Sequence, residues 1–476
     1  MILLSGCFTA MACGGGDSPP SGEERADAAA PQGLACQTQA QGGGCSEILV
    51  PNSSNYFWVS GENQPTSRYA GKTLCIPAGT YTGIGLYKVV ASASQPAVIT
   101  NCGGQAIFHS TSGSPFYVGG GSRHLRISGT GSAAHTYGLV AGTSGKNQAH
   151  LDLREGTSDV EIDHVEVSGN GNGGVGIAFR TYPACSGGTW RRGTWAQYNT
   201  KIHDTYVHGT KYEGMYIGPS HHGWVSANDY TPGFDCSGGV RWTEADVVGV
   251  EVTDNRLENI GNDGIQVGGA LQGMTIRRNV IKDYGLNQDE SHSGGITVNP
   301  GSKGLIDSNW IEATQAYRTQ GIAFQGLGGS VVSNNVILGA RWGTMFLRNS
   351  DVNLELSLPD VAYYHNTVVN STYQGLFFFC NNLDTVLFKN NIVAGTPTLY
   401  AGNGGNTACV QSLSSGNLLN TQLSAAGFVN AAAKDFHLLP ASAAVNTGMS
   451  LEGVVNADHD GVSRLGSPYD LGAFAQ

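Results

Sequence analysis

The chain has 476 residues, 70 of them glycine, only 13% charged, and a formal net charge of -11. So much glycine with so little charge suits tight turns between stacked strands, and an acidic chain with no basic run argues against a general nucleic-acid binder. No later segment has the roughly 18 uninterrupted apolar residues of a membrane-spanning helix.

The opening Met1-Ile-Leu-Leu-Ser-Gly-Cys7-Phe-Thr-Ala-Met-Ala-Cys13 is short and apolar, and a Gly/Ser/Pro/Ala-rich stretch follows it. It resembles a bacterial lipoprotein signal. Leu4-Ser-Gly-Cys7 matches the lipobox better, but Cys13 leaves the longer apolar stretch and precedes the tether, so Cys13 is the expected lipidation site. The expected division is a signal at 1–13 and a tether at 14–35, giving an exported cell-surface or periplasmic lipoprotein on an outer-membrane lipid anchor. Eight cysteines then remain, an even number that reads in an exported chain as disulfides.

Residues 36–100 are irregular and are expected to cap the end of a strand stack and supply its first coil, because an open end would expose strand edges and an apolar interior. Strands follow near Leu125 to Ser128, Val160 to Val167 and Lys201 to Val207. Two insertions break the rhythm, 181–199 after Gly176-Ile-Ala-Phe179-Arg180 and 219–247 after Gly214-Met-Tyr-Ile217-Gly218. Both leave the same corner of successive coils and carry Trp190, Trp195, Trp224 and Trp242, with one cysteine each. Long ordered loops on a regular scaffold usually carry function, and indoles suit the CH faces of sugar rings.

From Val250 to Val393 one phrase recurs, with asparagine at 255, 279, 309, 335, 366 and 391, spaced 24, 30, 26, 31 and 25 residues apart. This is a solenoid signature. A second, glycine-led phrase of alternating apolar residues follows each first one, as in Gly264-Ile-Gln-Val267 and Gly295-Ile-Thr-Val298. Period-2 segments without any helical periodicity leave coils of strands, with the asparagine amides stacked in the turns. The chain here resembles the right-handed parallel β-helix proteins, the pectate-lyase-like superfamily, over roughly Val90 to Val410. The expected fold is all-β, a single-stranded right-handed parallel β-helix of about ten coils in all, with its body at 101–410 and a C-terminal coil and cap at 411–476. Expected disulfides are Cys36–Cys45, Cys75–Cys102, Cys185–Cys236 and Cys380–Cys409.

Aligned on Gly176, Gly214, Gly264, Gly295, Gly321, Thr344 and Gly375, the strands present an outward column Ala178, Tyr216, Gln266, Thr297, Ala323, Phe346, Phe377. The next outward column is Arg180, Gly218, Gly268, Asn299, Gln325, Arg348, Phe379. Glu213 and Asp263 precede the glycine in successive coils and so lie about 4.8 Å apart along the axis. Lys211, His292, Arg318 and Arg341 form a basic edge beside them.

The resemblance implies enzymes that cut acidic polysaccharides by β-elimination, a reaction that needs a cation on the uronate carboxyl and a base for the C5 proton. Glu213 and Asp263 would then hold Ca²⁺. Lys211, Tyr216 or His292 would be the base, and Arg180, Gln266, Arg318, Arg341 and the four tryptophans would bind the chain. Two alternatives stand beside this reading: a glycoside hydrolase using the carboxylate pair, and a non-catalytic glycan-binding or adhesive solenoid. The expected partner is a polysaccharide and the expected state a monomer.

Overall fold

The computed structural model describes residues 36–37, 44–171, 173–220, 222, 234–236, 239–315, 317–347, 360–380, 385–411, 416–466 and 468–476. The signal and tether, with Cys7 and Cys13, lie outside the described residues, as do Trp224 and Arg348. Strands wind into coils that stack through two long sheets. One is a 12-stranded sheet built from a single strand per coil; the other has 23 strands, mostly two per coil. Pairing between neighbouring coils is parallel throughout, as where Met215–Ile217 lies between Ile177–Phe179 and Ile265–Val267. Among the described residues helix is confined to short pieces such as the 3-10 turns Thr66–Arg68 and Leu423–Ala426, and no helix is long and apolar enough to cross a membrane.

The 12-stranded sheet makes twelve coils where about ten were expected. Among the described residues the irregular N-terminal region, where one coil was expected, supplies two, through strands Tyr56–Ser60 and Gly83–Tyr87 that pair in register. Strong β-formers there fall into the stack without any repeated phrase to announce them.

The asparagine column explains why each coil bends at the same place. The residue before each asparagine adopts a left-handed conformation, with φ of 59° at Asp254, 54° at Arg278 and 55° at Ser308, which turns the chain between the two strands of the larger sheet. The amide then holds the corner. Asn309 Nδ2 donates to Ile276 O and to Asn335 Oδ1, both at 2.9 Å, while its Oδ1 accepts from the Asn279 amide nitrogens. The ladder runs one rung further than the repeat phrase, to Asn417, and ends the other way on Thr205, whose hydroxyl donates to Asn255 Oδ1 at 2.7 Å. Asn309 is fully buried, and a buried polar group left unsatisfied costs about 1–3 kcal/mol. Asn309→Ala strands groups on both neighbouring rungs, so it is expected to lower stability by about 3 kcal/mol or more. Urea unfolding measures this, and an unchanged midpoint would count against the ladder as a stabilising device.

Two features depart from the sequence reading. The strand near Thr344 is displaced by one residue, with Ile322 opposite Thr344, Ala323 opposite Met345 and Phe324 opposite Phe346. Gly343 therefore takes the glycine position, Met345 joins the outward column, and Phe346 points inward, where it stacks on Phe378 at 5.3 Å. Phe346 is fully buried; a slip of one residue would turn that ring to solvent. The N-terminal disulfides are also exchanged: Cys36 pairs with Cys102 and Cys45 with Cys75, at Cα separations of 4.9 and 5.7 Å. Glu47 and Ile48 pair with Leu74 and Cys75, which carries Cys45 to Cys75, while Cys102 lies opposite Pro77, two residues away from Cys75. Cys185–Cys236 and Cys380–Cys409 form as expected.

Candidate active site

The 12-stranded sheet presents one outward residue per coil in register, Ala178, Tyr216, Gln266, Thr297 and Ala323. At the near end of these strands the stack places Glu213 over Asp263, because Gly214 N donates to Asp263 O and Gly264 N donates to Gly294 O. Both carboxylates are buried, Asp263 almost completely at 1% exposure.

A buried pair of like charges needs compensation, and a loop in the following coil provides it. The turn after Tyr284 is fastened back across the lower coils by Asn287, whose Nδ2 donates to Lys211 O at 2.6 Å and to Asn262 Oδ1 at 2.9 Å. Its far end delivers His292, whose Nδ1 stands 3.6 Å from Glu213 Oε1 and 3.7 Å from Asp263 Oδ2. These are ion-pair distances, outside hydrogen-bond reach. Facing Asp263 raises the imidazole's pKa to about 9 against the downward pull of burial, with Glu213 and Asp289 adding to the rise. Burial pushes Glu213 up, and repulsion from Asp263 adds to it. Asp263 is anchored on its other oxygen, where Oδ1 accepts from Gly294 N at 2.6 Å and Thr297 Oγ1 at 2.9 Å.

Beside this cluster the surface is basic and aromatic. The Arg180 guanidinium lies 4.0 Å from the centre of the Tyr216 ring and 5.3 Å from that of Tyr182, and among the described residues no carboxylate is within ion-pair distance of it. Stacking occupies its face and leaves its N–H edge for an oxyanion. Burial drives the Tyr216 phenol well above its ordinary pKa, so it keeps its proton. The floor next to it must be glycine: a β-carbon on Gly218 would stand 2.2 Å from Gly268 O, and one on Gly268 would stand 1.9 Å from Pro219 O. The same coils hold five of the buried polar atoms that lack a hydrogen-bond partner, Asp263 Oδ2, His292 Nδ1, Gln266 Oε1, Asn299 Nδ2 and His222 Nδ1.

The described parts of the two insertions meet beside this floor. Cys185–Cys236 joins them, Tyr182 stacks on Phe234 at 4.8 Å, and Trp242 Nε1 donates to Cys185 O at 3.4 Å. Arg191 covers the Trp242 ring at 4.6 Å, which sets that indole within the junction. Trp190 and Trp195 are half-buried in the same loops.

The pattern of the right-handed β-helix region family matches residues 194–422, a span that holds the carboxylate pair and the asparagine ladder. The chain is a right-handed parallel β-helix. No curated protein matches it. Among solved structures the β-helix is similar to pectate lyase Pel9A, with 13% identity and a TM-score of 0.44 over 91% of this chain and 97% of that one. It is similar also to the PL6 family alginate lyase AlyGC, with 14% identity and a TM-score of 0.44 over 77% of this chain and 51% of that one. A third is the catalytic unit of the thermostable GH87 alpha-1,3-glucanase from Streptomyces thermodiastaticus strain HF3-3, with 14% identity and a TM-score of 0.38 over 79% and 71%.

The β-helix thus brings Glu213, Asp263 and His292 together and sets Arg180, Tyr216 and Gln266 beside them. It keeps other candidates apart. Lys211 Nζ donates to Asn147 Oδ1 at 2.9 Å and lines a polar cleft with Ser110, Thr143 and Lys146. Arg318 and Arg341 gather around Tyr317, further along the axis. Sequence reading placed Thr297 in the outward column without giving it a role, and missed Asn262, Asn287 and Tyr182. Of these only Tyr182 carried a signal, as an aromatic two residues after Arg180 at the root of an insertion.

The donor set of the cluster does not meet what calcium asks for. Oδ1 of Asp263 already accepts twice and Glu213 Oε1 accepts from Asn262 at 3.3 Å, so few oxygens remain for an ion that takes six to eight. The third donor within 4.8 Å is the nitrogen of His292, and as an imidazolium it supplies the counter-charge itself.

Proposed function

We propose that this chain is an exported polysaccharide lyase acting on uronate polymers by β-elimination, with His292 as the base. The observation that carries the reading is a half-exposed imidazole held against two buried carboxylates beside an arginine that has no carboxylate partner among the described residues. With Nδ1 facing Glu213 and Asp263, Nε2 is the nitrogen left for substrate, and the two negative charges at ion-pair distance raise the basicity of the ring. Arg180 binds the uronate carboxyl through its N–H edge and stabilises the charge that grows there as the C5–H bond breaks. His292 Nε2 takes the C5 proton, the C4–O4 bond breaks with its electron pair going to oxygen, and Tyr216 gives that oxygen its phenol proton. One product then carries a C4–C5 double bond. The four disulfides suit an oxidising compartment, and the lipid anchor on Cys13 belongs to the same proposal.

A glycoside hydrolase is the second reading, favoured by the close carboxylates and by the raised pKa of Glu213, which would make it the acid. Against it, Asp263 is shut beneath His292, where an anomeric carbon cannot reach it. The test is to incubate the purified protein with a panel of polyuronates, with and without chelator. Unsaturated products, seen by ultraviolet absorbance and persisting in chelator, are expected. New reducing ends without unsaturation would put the hydrolase in its place, and binding without any cleavage would leave a glycan-binding solenoid.

A further inference from the structure

Beyond the carboxylate cluster, the same edge of the β-helix carries a second cationic feature. Arg341 lies 4.6 Å from the ring centre of Trp342, 5.1 Å from that of Tyr373 and 5.7 Å from that of Tyr317, and Arg318 lies 5.3 Å from that of Tyr317. Among the described residues neither arginine has a carboxylate within ion-pair distance, and Arg341 Nε is buried without a hydrogen-bond partner. Tyr317 and Tyr373 are 58% and 47% exposed, while Trp342 is buried and fixed by its Nε1 donating to Gln374 Oε1 at 3.1 Å. Rings this exposed add little to folding stability, and two guanidinium groups share the Tyr317 ring with no described carboxylate to neutralise them, Arg318 Nη1 donating only to Gln288 O at 3.4 Å. Neither arrangement is what a purely structural patch would keep.

We propose that Tyr317, Arg318, Arg341 and Tyr373 form a distal subsite for a uronate unit of the same polymer chain, an inference that rests on the proposed lyase reading. Stacked on ring faces, Arg341 holds its N–H edge free for a bidentate carboxylate. The tyrosines offer flat surfaces to the sugar ring. Register places Trp342 in line with Gln320, Gly294 and Asp263, three coil steps of about 4.8 Å and hence about 14 Å along the axis from the reacting centre. The polymer therefore lies parallel to the solenoid axis, and only chains long enough to span that distance gain from the subsite. Between the two, the outward column passes from Thr297 to Ala323 and Met345, a floor without charge.

The test measures binding of oligouronides of graded length, and of carboxyl-reduced oligomers of the same lengths, to the full chain by calorimetry. Arg341→Gln is expected to weaken the longest oligouronide by about tenfold or more, the scale of a lost charge-assisted hydrogen bond. The penalty should shrink as oligomers become too short to span the gap. Tyr373→Ala, at an exposed ring whose loss leaves no cavity, should weaken the long oligomers in the same length-dependent way. A penalty equal at all lengths, or none, overturns the subsite while wild type still binds and cuts. A wild-type protein that binds no oligouronide of any length overturns the lyase reading and the subsite together.

Discussion

His292→Gln is expected to lower turnover on a polyuronate by about two to four orders of magnitude, the usual share of a positioned general base, with the coil stack intact. The pH profile gives the sharper result. Facing Asp263, with Glu213 and Asp289 adding, holds the imidazole at about 9 against the downward pull of burial, so the neutral form that accepts a proton is scarce at pH 7 and half-populated at about 9. The rate should rise with pH along a limb centred near 9. Stability should move the opposite way. His292 has its folded pKa raised above the ordinary 6.5, so its contribution to stability is fully present below 6.5 and is lost as pH rises through about 9. Between those values activity increases while the contribution of the clamp decreases. Asp263→Asn removes the chief cause of the shift and should draw the activity limb down toward 6.5. A limb that stays near 9 in that variant, or a wild-type rate that falls across this range, would remove His292 from the role of base.

The backbone of this protein was readable because its instructions repeat. An asparagine at each bend and a glycine before each inward pair announce the same local choice coil after coil, and stacking is the only way to bury the result. Where no repetition helps, reading failed for physical reasons. Thr344 stands one residue after Gly343, and only the burial of Phe346 beside Phe378 shows which of them takes the glycine position. Cys45 and Cys75 meet through a strand of two residues, Glu47 and Ile48, too short to carry a pattern. The site was partly legible, since Glu213 and Asp263 fall at equivalent positions in successive coils. His292 falls near them in the following coil, but its role as their counter-charge depends on Asn287 reaching back to Lys211 and Asn262 across 76 and 25 residues of sequence. Spacing along the chain does not reveal such a contact. Tyr216 shows a related gap: its outward position was evident, whereas the burial that keeps its proton on became visible only with the described parts of the insertions and Arg180 in place.

Arg180→Gln is expected to lower kcat/KM on a free uronate polymer by about two to three orders of magnitude, the loss that follows removal of one donor aimed at a developing oxyanion. Most of the loss should fall on kcat. In the ground state the uronate carboxylate carries a single charge that water can also solvate, whereas breaking the C5–H bond pushes further electron density onto those oxygens just where Arg180 points. Arg180→Lys should not restore the rate, because an ammonium group cannot lie flat on Tyr216 at 4.0 Å and still present two parallel N–H bonds. Substrate chemistry supplies the control. A methyl-esterified polymer has no carboxylate for Arg180 to bind, so the variant should lose far less on it than on the free acid. The comparison is made within one protein preparation, which separates the arginine's contact with substrate from any effect on folding. Equal losses on both polymers would mean that Arg180 serves only to hold Tyr216 and Tyr182 in place.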